Sequence, residues 1–217
     1  LGLLVTSNRF RPPAMLAKIA ATVDVVSDGR LDFGIGVGSR PNPPEARREY
    51  PAHGLPYLDF AEAVESLDEA CTVIRRLWTD TRPFDFHGTH HQLTGASCNP
   101  KPIQHPHPPI MIGGRTTATL RVVAKHADLW NIPGSDLADA VQRSALLDRL
   151  CAEVGREPSS ITRSIHVRVA YEDADETREA ITKAIQGGFR HIVLGLPAPY
   201  PEKVALWIAS ELVNAPI

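Results

Sequence analysis

Short apolar runs and amphipathic helical patterns alternate along this chain from end to end, and nothing else in the sequence limits its fold as strongly. The runs fall near Leu1–Thr6, Leu31–Val37, Pro109–Gly113, Asp128–Ile132, Arg163–Ala170 and Arg190–Leu196. Each is short and bounded by Gly, Pro or Asp, which favours strands over buried helices. After the first run, Leu16, Ile19, Ala20, Val23 and Val26 recur at three- and four-residue spacing. Pro12 and Pro13 sit where a first helical turn accepts proline, and Gly29 where a helix ends. Val64, Leu67, Cys71, Ile74 and Trp78 form the next stripe, with Glu62, Glu65, Asp68 and Arg75 largely outside it. Later helices are predicted over Thr116–His126, Asp136–Val154, Ala174–Gln186 and Glu202–Asn214.

Strand and helix in alternation mean a parallel sheet with right-handed crossovers. An open doubly wound sheet and a closed barrel both satisfy that rule. No GxGxxG stands at a strand-to-helix corner with an acidic residue about 20 positions on, so the dinucleotide-binding open sheet loses ground. A closed barrel takes about eight βα units, and this chain carries about six. On the barrel reading about two units are missing, and the start at Leu1, inside a strand-like run, puts them at the front. The 217 residues are read as a single domain over 1–217.

Charge narrows the partners. Lys and Arg number 23 against 25 Asp and Glu, with no basic block, so nucleic acid is not an expected partner. No apolar run approaches the roughly 20 residues that span a bilayer, so no membrane contact is expected either. Cys71, Cys98 and Cys151 are far apart and form neither a disulfide framework nor a CxxC pair, which makes a cytoplasmic location the expectation.

Two longer connections interrupt the alternation, Ser39–Asp59 and Thr79–Pro108, and such segments are often functional. The second holds His87, His90, His91, His105 and His107. It leads into a strand from the side away from barrel chemistry, and only Asp85 stands near ligand spacing, so it is read as a solvated loop and no metal is expected. His126 and His191 are read as structural. There is no GxSxG and no Cys in an activating context. Trp130, Asn131 and Ser135 follow a strand toward the expected pocket, with a core role open for Trp130.

Glycines mark two strand ends. Gly34, Gly36 and Gly38 alternate along the second strand, so one of its faces has no side chains. Such a bare face receives either a ligand or another backbone; ligand approach is expected at Gly36 and Gly38, packing at Gly34. At Ile112–Thr117 a strand turns through Gly113 and Gly114 into a helix. The N–H groups of Gly114, Arg115, Thr116 and Thr117 at that corner, with the helix dipole and the Arg115 charge, describe a phosphate cradle. A tight turn with a Thr N-cap explains the same residues.

The stretch TSNRFRPPAMLAKIAATVDVVSDGRLDFGIGVG, Thr6 to Gly38, resembles the luciferase-like monooxygenase family, and the similarity continues through LDEACTVIRRLW, PPIMIGG and KHADLWN. It spans most of Leu1 to Asn131 and is closest in flavour to the branch that uses coenzyme F420, with FMN users sharing much of it. The resemblance implies a (β/α)8 TIM barrel of the luciferase type, truncated at its N-terminus to about six units. It implies an oxidoreductase that transfers hydride between F420 and a small-molecule substrate, or an FMN-dependent monooxygenase; a non-catalytic barrel fragment that binds without turnover is the reading from another class. It also implies a backbone bulge with a cis peptide at Leu4–Val5, Thr6 beside it, behind the cofactor ring. Gly36, Gly38 and Ser39 would line the cofactor, and Gly113, Gly114, Arg115, Thr116 and Thr117 would hold its phosphate. Because such relatives are often dimers or larger, the resemblance also implies a homodimer. Those relatives carry Arg in the helix where Ala63 stands here, and their acid or base often lies in the first two units, so no catalytic residue is named.

Overall fold

The computed structural model describes residues 1–38, 44–134 and 136–213. The chain divides into two compact units, Leu1–Asp128 and Leu129–Ile217. Ser39, Ser135 and Asn214, singled out above, lie outside the described residues.

In the first unit the order is β1 (Thr6–Ser7), α1 (Pro13–Val26), β2 (Phe33–Gly36), α2 (Pro44–Ala52), α3 (Phe60–Thr79), β3 (Phe84–His87), β4 (Gln92–Ala96), β5 (Ile110–Gly113) and α4 (Thr117–His126). β1 pairs with β2 and β2 with β5, all parallel, with Thr6 opposite Ile35 and Ile35 opposite Ile112. β2 is buried throughout, as its apolar run requires. The first strand is shorter than the run Leu1–Thr6 suggested. Residues before Thr6 keep a single parallel bridge, Gly2 to Asp32, and the Leu4–Val5 peptide is cis, where the resemblance implied it.

α3 is the unit's central helix. It starts on a capping box: Glu62 N–H donates to the Asp59 carboxylate at 2.9 Å, and Asp59 N–H to the Glu62 carboxylate at 2.8 Å. Its expected stripe, Val64, Leu67, Cys71, Ile74 and Trp78, is buried. Trp78 Nε1 donates to Ala17 O at 2.9 Å and ties α3 to α1. At its C-terminal end the Lys101 ammonium donates to Leu77 O and Asp80 O, both at 2.6 Å, satisfying carbonyls that the helix leaves open.

α1 presents a different face from the one its spacing predicted. Leu16, Ala17, Ala20, Ala21 and Asp24 are buried, while Met15, Ile19, Val23 and Val26 are exposed. A small alanine face lets the helix axis approach its neighbours closely, which the larger residues could not do. Asp24 is fully buried and accepts from Ile103 N, Gln104 N and Gln104 Nε2 at 2.9, 3.0 and 2.6 Å. The described part of the first long connection contains α2, and the second folds back as the antiparallel hairpin β3–β4. Glu69 of α3 clamps that hairpin, accepting from the N–H groups of Thr89, His90 and His91. Against the upward push of burial, those three donors hold the Glu69 carboxyl below the usual range.

The second unit runs β6 (Leu129–Pro133), α5 (Leu137–Glu153), a 3₁₀ turn, β7 (Thr162–Arg168), α6 (Ala174–Gln186), β8 (His191–Gly195) and α7 (Val204–Ile208), which continues as a π turn over Ala209–Val213. The strands are parallel, with Asn131 opposite Ser164 and Ser164 opposite His191. Asp136 and Asp173 cap α5 and α6 through the N–H groups of Asp139 and Glu176. Arg163 reaches α5, donating to Ser144 Oγ at 3.2 Å and pairing with Asp148, so this face of β7 is the one the helices cover. Trp130 is fully buried beside Phe189, which settles its role as core.

All three cysteines are free and buried; burial pushes the Cys71 thiol up to about 12 and raises Cys98 and Cys151 as well. Among the described residues no helix is long and apolar enough to cross a membrane.

Candidate functional site

Parallel α/β folds place ligands at the C-terminal ends of their strands. In the first unit those ends are Ser7, Gly36 and Gly113. The bare glycine face of β2 is filled from within the chain. A Cβ on Gly34 would run into the carbonyl oxygen of Leu3, and one on Gly36 would lie 2.8 Å from Val5 Cγ2. At Gly38, where φ is +91°, it would strike the Tyr50 hydroxyl, with Ser7 Oγ 2.7 Å away. The space that a side chain at Gly36 would take is thus filled by Val5, which packs directly on β2, and the space at Gly38 by Tyr50 of α2. Gly113 differs. A Cβ there would meet only the two Val5 methyls, at ordinary distances of 3.4 and 3.6 Å.

Beyond Gly113 the chain turns into α4. Gly114 leaves room for Thr119, whose methyl a Cβ would strike. Thr116 is the N-cap, its hydroxyl accepting from Thr119 N at 3.2 Å. The Thr N-cap that explains this corner thus exists, and it engages the Thr116 hydroxyl within α4. The N–H groups of Thr117 and Ala118 follow it at the exposed helix start and have no hydrogen-bond partner among the described residues.

A second cluster, with no motif in the sequence to mark it, stands where β1 ends. Asn8 is buried, its Nδ2 donates to Ser66 Oγ at 3.2 Å, and its Oδ1 has no partner among the described residues. Ser66 Oγ in turn lies 3.2 Å from His91 Nε2. Burial holds the His91 imidazole below its usual value. His91 is therefore half-buried structure, not solvated loop. Above Gly38, the Arg9 guanidinium lies 4.0 Å from the centroid of the buried Tyr50 ring, and Phe10 stacks on the same ring at 5.4 Å. Among the described residues no group of three or more His, Cys, Asp or Glu could hold a metal ion.

In the second unit, Asn131, Ser164 and His191 form a row across β6, β7 and β8. Asn131 Nδ2 donates to Ser164 Oγ at 2.8 Å, and Ser164 Oγ lies 2.8 Å from His191 Nδ1. His191 is thus held as a structural residue. At the ends of β7 and β8 a cleft of about 700 Å³ is lined by Arg168, Tyr171, Glu172, Glu176 and Tyr200 among others. None of these was singled out from the sequence, although the stretch SIHVRV, with polar and apolar residues in alternation, carries the signal of a strand with one polar face.

These features define a parallel α/β scaffold of the TIM-barrel kind with glycine-trimmed strand ends. The model of the family described as luciferase-like monooxygenase matches residues 1–210, and the chain belongs to that family. An uncharacterized protein of Mycobacterium tuberculosis is 31% identical over 211 residues, covering 92% of this chain and 66% of that protein. The FMNH2-dependent dimethylsulfone monooxygenase of Pseudomonas putida is 25% identical over 206 residues, 91% of this chain and 54% of the other. Among solved structures, an F420-dependent secondary alcohol dehydrogenase in complex with an F420–acetone adduct superposes with a TM-score of 0.83 at 16% identity, over 98% of this chain and 78% of that one. The fold is therefore that of the luciferase-like TIM-barrel enzymes, and the chain spans about two thirds or less of the curated relatives' length.

Proposed function

We propose that this chain is a flavin- or deazaflavin-dependent oxidoreductase, with F420 as cofactor and hydride transfer to or from a small organic substrate as its reaction. The observation that carries the reading is the corner after β5. Gly113 keeps its backbone open at a strand end, and the N–H groups of Thr117 and Ala118 follow four and five residues on, at a helix start. Together they fit an anionic group such as a cofactor phosphate. Val5, resting on Gly36 and Gly113, offers an apolar backing for a flat ring, with Leu4 and Thr6 flanking it. The cofactor supplies the hydride chemistry; the chain binds, orients and excludes water. The fold shared with an F420-dependent dehydrogenase supports the cofactor assignment.

A second reading is an FMN-dependent monooxygenase, favoured by the sequence similarity to the Pseudomonas putida enzyme. Fluorescence titration of the purified chain with F420 and with FMN separates them. Saturable F420 binding with weaker FMN binding supports the first reading, and the reverse order supports the second. Gly113→Ala should weaken the preferred cofactor about tenfold with an unchanged urea midpoint, since its Cβ meets only Val5 at ordinary distance. Cofactor binding untouched by that substitution would remove the cradle, and no binding of either cofactor would remove both readings.

A further inference from the structure

Along β7, Ser164, His166 and Arg168 leave one face and Arg163, Ile165 and Val167 the other. Arg163 grips α5, so the face carrying His166 and Arg168 is the one turned away from the unit's helices. At its base that face is closed by the Asn131–Ser164–His191 row, in which each side chain bonds its register neighbour. One level higher, His166 stands opposite Pro133 and Val193, and at the strand end Arg168 stands opposite Gly195.

The His166 ring does not stay at its own level. It leans toward the strand end and lies over Gly195: a Cβ there would strike Nε2 and lie 2.8 Å from Cε1 and 2.9 Å from Cδ2. Glycine at 195 thus brings the imidazole up to the level of the Arg168 Cα, at the edge where such folds bind ligands. Neither side chain has a hydrogen-bond or ion-pair partner among the described residues, in a unit where Arg163 and Arg178 both pair with carboxylates.

We propose that His166 and Arg168 are a recognition pair for an oxyanion on the substrate, a carboxylate or a phosphoryl group. The guanidinium fork matches either group bidentately, and an imidazole N–H adds a donor from below. The neighbouring cleft refines the choice. Glu172 and Glu176 line it from the turn after β7 and the first turn of α6, and their charge disfavours a dianion. Tyr171 and Tyr200 line it with aromatic surface, the Tyr171 hydroxyl being committed to Pro197 O at 3.0 Å. A monocarboxylate with an apolar or aromatic body suits that lining better than a phosphate ester. The inference rests on the oxidoreductase reading only in calling this ligand a substrate.

The test is proton NMR of the histidine Cε1–H signals during titration of the full chain with benzoate, inorganic phosphate and chloride at matched ionic strength. The His166 signal is assigned from the His166→Asn spectrum. Benzoate should shift it saturably and more tightly than phosphate, with no saturable shift from chloride. Arg168→Gln should weaken benzoate about tenfold, and Arg168→Lys should weaken it less. Gly195→Ala should move the His166 signal in the free protein and weaken benzoate to a similar degree, with His166 still present. Tighter phosphate than benzoate would keep the pair and reassign the substrate as phosphorylated. No saturable shift with either anion, or an affinity unchanged in Arg168→Gln, would overturn the proposal. F420 and FMN titrations on the same samples report separately: benzoate binding without cofactor binding keeps the pair and removes the oxidoreductase reading.

Discussion

Val5 Cγ2 occupies the place where a side chain on Gly36 would begin, 2.8 Å from the Cβ that glycine lacks. Val5 lies just before β1 and Gly36 ends β2, and the fit is steric. Gly36→Ala should destabilise the chain by about 1–3 kcal/mol, the usual range for overpacking. Val5→Ala in the same background should return part of that loss, because the obstructing methyls are gone. Gly34→Ala should not be rescued this way, since its Cβ meets the Leu3 carbonyl. Urea unfolding of the double-mutant cycle checks this; strictly additive losses would show that the two residues do not share the space.

Asp24 holds residues 103 and 104 through three donors from inside a buried site. Asp24→Ala strands two backbone N–H groups and should cost about 3 kcal/mol, the upper end for hydrogen bonds to a charged group. Asp24→Asn keeps one acceptor and should cost less. Equilibrium unfolding gives the size, and amide exchange at Ile103 and Gln104 should quicken in both variants if the carboxylate is the clamp.

Asp68 makes stability depend on acid. Its hydrogen bond from His126, at 2.5 Å, and a second from Lys125, at 2.8 Å, hold its carboxyl down at about 2 from an ordinary 3.8. A carboxyl with a depressed value stabilises the fold above its unfolded value and loses that contribution as pH falls through the folded one. Asp68→Asn should therefore be less stable than the parent at pH 6 by about 1 kcal/mol, discounted for solvent screening at a one-third exposed group. The gap should close between about pH 4 and pH 2. A gap that is flat across that window would remove the carboxylate as its cause.

Ser164 links two partners at once and is fully buried. Ser164→Ala leaves Asn131 Nδ2 and His191 Nδ1 without their shared oxygen and should cost about 1–3 kcal/mol. Thermal unfolding measures it. Asn131→Ala combined with Ser164→Ala should cost less than the sum of the two, because the second deletion removes a group the first has already orphaned.

The βα alternation was legible in the sequence because each strand and helix carries its own apolar period. The α3 stripe, the Thr116 cap and the turn at Gly29 follow from residues within a turn or two of each other. What depends on distant partners was harder to read. The face of α1 is set by how closely Ala17 and Ala21 can approach their neighbours, so spacing that favoured Ile19 and Val23 pointed the wrong way. The hairpin β3–β4 was hidden because its anchor, Glu69, lies a helix away. At the candidate site the glycines of β2 were visible, but not that Val5 and Tyr50 fill the space beside them. His166 was missed for the same reason: its reach is decided by Gly195, on another strand.

The three buried thiols turn this chain into its own recorder of local opening. A thiol held near its protonated form inside the fold reacts with an alkylating reagent only when its surroundings part. Cys71 reports on α3, Cys98 on the stretch after the hairpin, and Cys151 on α5 in the other unit. Mass spectrometry after timed alkylation would thus rank the openings of both units in a single unmodified molecule, without introducing a label.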